Sequence, residues 1–126
     1  MKLDWLHYDS GNAIPYNDLV LALDYWKNKK EGIYIIWRKE TNVGDENDRK
    51  IVYVGQGDLK VRLGVHLDDE VQYYADDELF VTWAEVDPDD QNGIENFLAD
   101  LLNPLVGDEW PTDTPIEVNL PDFIEL

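Results

Sequence analysis

Two short runs decide the fold, GIYIIW at residues 32–37 and IVYV at residues 51–54. Both are rich in β-branched and aromatic side chains, which favour strands. Residues 39–50 between them are polar and contain glycine, and they are predicted to form one loop. Two strands flanking such a loop are typical of an antiparallel pair. Gly32 precedes the first strand, and Gly55 is expected to end the second.

Further elements are predicted around this pair. Pro15 suits the first turn of a helix, and the apolar spacing after it predicts a helix over residues 15–29. Residues 79–86 are expected to form a third strand. Asp58 can cap another helix, which would carry Leu59, Arg62, Leu63 and His66.

The last helix is predicted over residues 91–102, with Asp89 or Asp90 as its cap and Pro104 after its end. Its apolar residues have the spacing of a buried stripe: Ile94, Phe97, Leu98, Leu101 and Leu102. Prolines in residues 111–126 suit an extended strap along the surface. The expected fold class is therefore α+β, a small, mostly antiparallel three-stranded sheet flanked by helices, in a single domain over residues 1–126.

Composition narrows the class of protein. The hydrophobic fraction is 44%, yet no apolar run approaches the length of roughly 20 residues that a membrane span needs. The first residues, 1–5, place an acid where a signal peptide would have its hydrophobic region. The chain has no cysteine, which excludes disulfides and thiolate zinc sites. We expect a cytoplasmic protein with no membrane partner.

The charge is strongly negative and unevenly distributed. The chain has 28 acidic residues and 10 basic ones, for a net charge of -18. All ten basic residues and ten of the acids lie in residues 1–62, so residues 63–126 contain eighteen acids and neither lysine nor arginine. A solvated acidic surface, as in salt-adapted proteins, and a recognition role both explain this composition. DNA-binding surfaces normally carry the opposite charge.

Glu95 is the first acidic side chain that could carry chemistry. Counting round the predicted helix places it close to Leu98 and Leu102, on the packing side. An ionised carboxylate there needs a cation, a metal or hydrogen-bond donors, because an unpaired buried charge is costly. The alternative is a boundary carboxylate that reaches past the apolar stripe to water.

Arg62 and His66 are four residues apart, so they point to the same side of their predicted helix. An arginine can hold phosphate oxygens, and a histidine can move a proton near neutral pH. The alternative pairs the arginine with a nearby acid and places the histidine at a core edge. Tyr34 and Tyr53, similarly, are either ordinary core aromatics or hydroxyls that the neighbouring glycines leave open to a ligand.

Taken in order along the chain, these residues resemble the GIY-YIG nuclease superfamily. The order is Gly-Ile-Tyr on a strand, Tyr53-Val54-Gly55 on the next, a helix with Arg62 and His66, and a glutamate near the start of a later helix. The match covers residues 32–107. It implies a small antiparallel sheet with helices and a divalent-metal-dependent cut of a nucleic-acid phosphodiester bond.

The resemblance also assigns roles. Glu95 would hold the metal, Mg²⁺ or Mn²⁺, since one carboxylate with waters and phosphate oxygens suits magnesium. Tyr34 would lie beside the attacking water as base or positioner. Tyr53 and Arg62 would hold and neutralise the scissile phosphate, and His66 would orient or accept a proton. The implied partner is nucleic acid, with DNA expected first, and a protein partner could supply sequence specificity.

One residue departs from the family pattern. Members usually have an asparagine a few residues after the proline that follows the glutamate helix, whereas here that place leads to Gly107. The nearest asparagines are Asn103 and Asn119. Two alternatives to a nuclease therefore stay open: a catalytically silent relative that acts in protein interaction, and an acidic mimic of DNA that occupies a basic groove on a partner.

Overall fold

The computed structural model describes residues 1–5, 14–15, 31–39, 49–59, 79–105 and 113–121. Within these ranges the chain forms a sheet and one helix. The strands are β1 (Ile14–Pro15), β2 (Glu31–Lys39), β3 (Arg49–Asp58) and β4 (Leu79–Glu85), and the helix α1 is Pro88–Leu102. The order across the sheet is β1-β4-β2-β3, with every pair antiparallel. The predicted α+β class is confirmed.

Strand β2 lies in the middle of the sheet, where alternate side chains are buried on opposite faces. Ile33, Ile35 and Trp37 join the core that also contains Ile94 and Leu98 of α1, so these three define the helix face. The opposite face is also buried, through Tyr34, Ile36, Val52, Val81 and Trp83. A strand buried on both faces explains the nearly unbroken apolar run in the sequence.

Strand β3 is longer than the sequence indicated. It continues through Gly55 to Asp58, which pairs with Glu31, so the prediction that Gly55 ends this strand is wrong. The length of β2 is the reason, because each of its residues offers a partner to β3. A register shift between Ile36 and Trp37 puts Tyr53 opposite Ile36 and Ile51 opposite Trp37. This bulge keeps Ile51 on the helix face and Tyr53 on the other.

The first predicted helix needs a correction at its start. Pro15 belongs to the two-residue strand β1 and pairs with Phe80, so it does not open a helix, and the sheet has a strand that was not predicted. Proline is tolerated there because β1 is an edge strand. The rest of the predicted helix 15–29 lies outside the described residues.

Helix α1 begins earlier than predicted. Asp87 is the cap and accepts a hydrogen bond from the Asp89 backbone amide, while Pro88 occupies the first turn, where its missing N–H costs nothing. Leu101 is 41% exposed, which corrects its place in the buried stripe. Glu95 lies near the centre of the buried side of the helix. At about 100° per residue, Leu101 is about 120° away from Glu95 round the helix, which turns it toward solvent.

The two terminal segments lie together against α1. Asn119 accepts from the Leu3 amide at 2.5 Å and donates to the Leu3 carbonyl at 3.1 Å. Ile116 donates its amide to the Gly93 carbonyl at 3.0 Å, and Asn96 donates to the Asp113 carbonyl at 2.7 Å. Residues 113–121 contain no helix or strand, as expected for the extended tail. We call residues 113–121 the strap.

Candidate functional site

The two motif tyrosines form a stacked pair on the sheet face opposite α1. Their ring centroids are 6.0 Å apart, with 23° between the planes. Tyr34 is fully buried, and Tyr53 is half-buried. The register places them on one face, because Tyr34 is opposite Gly55 and Tyr53 is two residues before it.

Gly55 is required by the tyrosine pair. A Cβ atom at this position would come within 2.3 Å of both Cζ and the hydroxyl oxygen of Tyr34, and within 2.7 Å of Cε1 of Tyr53. The restriction is one of space and not of backbone conformation, because the φ of Gly55 is not positive. Among the described glycines, the positive φ is that of Gly57. The hydroxyl of Tyr34 therefore lies directly over the backbone of β3.

Glu95 approaches the same part of β3 from the helix face. The side chain is 7% exposed, and its Oε2 accepts a hydrogen bond of 2.5 Å from Nε2 of Gln56. The prediction that Glu95 lies on the packing side is confirmed. The alternative, a carboxylate reaching past the stripe to water, does not describe this side chain, because Glu95 is buried and bonded within the protein.

Gln56 joins two positions of α1. Its Nε2 donates to Oδ1 of Asn92 at 2.5 Å as well as to Glu95. Asn92 and Glu95 are one helical turn apart, so both reach the same point on the strand. Gln56 is not among the site residues that the sequence predicts. The signal that identifies it is period-2 alternation from Val54, which turns Gln56 to the helix face.

The tyrosines and the glutamate thus reach one segment of an edge strand from its two faces. Gly55 and Gln56 are consecutive, so their side-chain directions are opposite. Tyr34 and Tyr53 meet the segment on the Gly55 side, and Glu95 meets it on the Gln56 side. A ligand that contacts all three side chains must therefore lie at the sheet edge, around β3.

Arg62 and His66 lie outside the described residues. Their assignment to the site, and their roles, stay predictions from the sequence. The described part of the predicted second helix is Leu59, which is fully buried directly after β3.

The two asparagines near the place where the family pattern leads us to expect one both have structural contacts. The side chain of Asn119 is used twice by the backbone of Leu3, which ties the strap to the amino-terminal segment. Asn103 ends α1 in the left-handed conformation, with φ of 50°, and its backbone N–H donates to the Ala99 carbonyl. Asn119 therefore ties two segments together, and Asn103 ends a helix.

The donor set for a metal is small in the part of the chain that the structure describes. No group of three or more histidine, cysteine, aspartate or glutamate side chains converges there. Glu95 contributes a buried carboxylate, and hard divalent cations prefer such oxygens. A single carboxylate fits Mg²⁺ or Mn²⁺ that takes its remaining ligands from water and phosphate, and does not fit an all-protein cage.

A scan against models of protein families found no match for this chain. Searches of curated proteins and of solved structures found none either. Among the described residues, no helix is both long and apolar enough to cross a lipid bilayer. The resemblance to the GIY-YIG superfamily therefore depends on the residues of this sequence.

Proposed function

We propose that the chain is a metal-dependent endonuclease that hydrolyses phosphodiester bonds of nucleic acid, with DNA as the first substrate to test. The observation that carries the proposal is that both motif tyrosines contact β3 at Gly55, while the motif glutamate contacts the adjacent Gln56 from the other face. Residues far apart in sequence, Tyr34 and Glu95, reach neighbouring positions of one strand. This adjacency supports the proposal, in which the substrate contacts the strand from both faces at the sheet edge.

Each side chain then has a defined task. Tyr34 and Tyr53 present phenolic hydroxyls to the attacking water and to the phosphate. Arg62 neutralises charge that develops on the phosphate oxygens, and His66 orients or accepts a proton. Glu95 binds the divalent cation. That cation, when bound, polarises a phosphoryl oxygen and lowers the pKa of a coordinated water.

The decisive test is nicking of supercoiled plasmid DNA in Mg²⁺ or Mn²⁺. Glu95→Gln should abolish it while the fold stays intact, because a neutral amide is a poor ligand for a hard cation. Glu117→Gln makes the same change of charge at an exposed position of the strap and should cut like the wild type. An active Glu95→Gln variant would contradict the metal assignment.

A specific observation also favours a second candidate, a catalytically silent relative that acts in protein interaction. Tyr34 is 0% exposed, so in this conformation its hydroxyl does not meet bulk water. The net charge of -18 opposes DNA as well. On this hypothesis the tyrosine pair and Glu95 only pack the edge of the sheet.

The two candidates differ in the activity of the wild type. The nuclease proposal requires metal-dependent cleavage of at least one substrate among single-stranded and double-stranded DNA, branched DNA and RNA, assayed from low to high salt. Folded protein that cuts none of these with either metal would favour the silent relative. Circular dichroism on the same samples would establish that the protein is folded.

A further inference from the structure

The hydrogen bonds around Gln56 form a chain from an exposed residue to a buried charge. Asn92 is exposed, Gln56 is half-buried and Glu95 is 7% exposed. A carboxylate only accepts hydrogen bonds, so the Gln56 atom that faces Glu95 must be nitrogen. The same nitrogen faces Asn92, which must therefore present its oxygen. One arrangement of the two amides satisfies all three groups.

We propose that Gln56 is the positioning residue for the Glu95 carboxylate, a role that rests on the proposed metal-dependent activity. Glu95 has several rotatable bonds, and a metal ligand must be oriented before the cation arrives. Gln56 supplies this orientation from a sheet strand, while Asn92 fixes the Gln56 amide. Replacing a group that supports a metal ligand typically weakens metal binding or activity about 10–100-fold.

The chemistry of an amide suits this task. A lysine or arginine at position 56 would also donate to Glu95, but its positive charge would compete with a divalent cation for the carboxylate. The neutral Gln56 amide donates hydrogen bonds and leaves the negative charge of Glu95 for the metal. Its two N–H groups also account for both contacts, one to Asn92 and one to Glu95.

The test compares Mn²⁺ binding by isothermal titration calorimetry in the wild type and in Gln56→Met. Methionine has a similar length but no donor. We expect Mn²⁺ to bind about 10-fold more weakly, the lower end of the range for supporting residues. Asn92→Ala changes an exposed residue, so it should fold even if Gln56→Met does not, and it should weaken binding in the same direction.

Asn96→Ala is the matched control on the same helix. It removes the hydrogen bond from Asn96 to Asp113 and makes no change at Gln56 or Glu95, so Mn²⁺ affinity should equal that of the wild type. If folded Gln56→Met and Asn92→Ala proteins bind Mn²⁺ as tightly as the wild type, the positioning role of Gln56 is overturned and the proposed function is not. Wild-type protein that binds no Mn²⁺ would overturn both this role and the proposed function.

The metal concentration that gives half-maximal cleavage is a second readout. If Gln56 only supports the fold, its replacement should lower the fraction of active protein without changing the metal concentration for half-maximal cleavage. A positioning residue should instead raise that concentration by about the same 10-fold as the Mn²⁺ dissociation constant. Agreement between the two shifts supports the proposal, and an unchanged half-maximal concentration contradicts it.

Discussion

The ring of Tyr34 lies on the backbone of Gly55, its partner across the β2–β3 ladder, with no room between them for a side chain. The glycine of the second motif thus leaves the space that the tyrosine of the first motif occupies. Strand pairing explains why two motifs about twenty residues apart occur together: the first supplies a large side chain and the second supplies the space for it.

Gly55→Ala should therefore destabilise the protein by about 1–3 kcal/mol, as overpacking usually does. The added methyl group would lie 2.3 Å from Cζ and the hydroxyl oxygen of Tyr34. The free energy of unfolding, from urea denaturation, measures this cost. In a Tyr34→Phe background one of the two closest contacts is gone, so the same substitution should cost less. An equal cost in both backgrounds would contradict this packing.

The two tyrosines should differ in kinetics. Under the proposed function, Tyr34→Phe removes the hydroxyl beside the attacking water and should lower kcat by about 10²–10⁴, the range for general acid–base groups. Tyr53→Phe removes a hydroxyl that holds the phosphate and should mainly raise KM. Both keep the ring, so the stacked pair survives. Steady-state cleavage measures the two constants, and a Tyr34→Phe enzyme with normal kcat would remove Tyr34 from the mechanism.

Asn119→Ala separates a structural asparagine from a catalytic one. Leu3 would lose the partner of both its amide and its carbonyl, so stability should fall by about 1–3 kcal/mol. Cleavage measured well below the melting temperature should stay at the wild-type level, because Asn119 serves the terminal segments. Loss of cleavage by protein shown to be folded would mean that Asn119 supports the site after all.

The sequence predicts those parts of the fold in which the spacing of apolar residues along an element matches the side of that element that is buried. The helical spacing of Ile94, Leu98 and Leu102 was sufficient to place Glu95 on the packing side of its helix. The pairing of Gln56 with Glu95 could not be predicted in this way. It depends on how far β3 continues and on where α1 crosses it, which are set by contacts about forty residues apart.

The errors at Pro15 and Gly55 also come from contacts between residues that are far apart in the sequence. Pro15 and Gly55 carry strong local preferences, for a helix start and a strand end, but pairing across the sheet overrides both. Asp87 was missed as the cap because Asp89 and Asp90 lie close to it and are also suitable capping residues. Pro88 belongs to the first turn of the helix, so the residue before it, Asp87, is the cap. Arg62 and His66 fall outside the described residues, so the sequence remains the basis for their roles.

The acidic half of the chain leads to the last prediction, which does not depend on the resemblance. Residues 63–126 contain eighteen acids and no lysine or arginine, and these charges repel one another when screening is weak. The melting temperature should therefore rise as sodium chloride increases from very low to near-molar concentration. DNA binding should weaken over the same range, with a shallow slope if few cationic side chains contact phosphate.

A charge-reduced variant is the matched control for this effect. Asp100→Asn, Asp113→Asn and Glu117→Gln together remove three acids at exposed positions, and the hydrogen bond that Asp113 makes with Asn96 uses its backbone carbonyl. With less repulsion to screen, this triple variant should melt at a higher temperature in low salt and gain less from added salt. If the wild-type melting temperature does not change with sodium chloride, the acids are already compensated by partners or bound cations, and salt adaptation does not explain the composition.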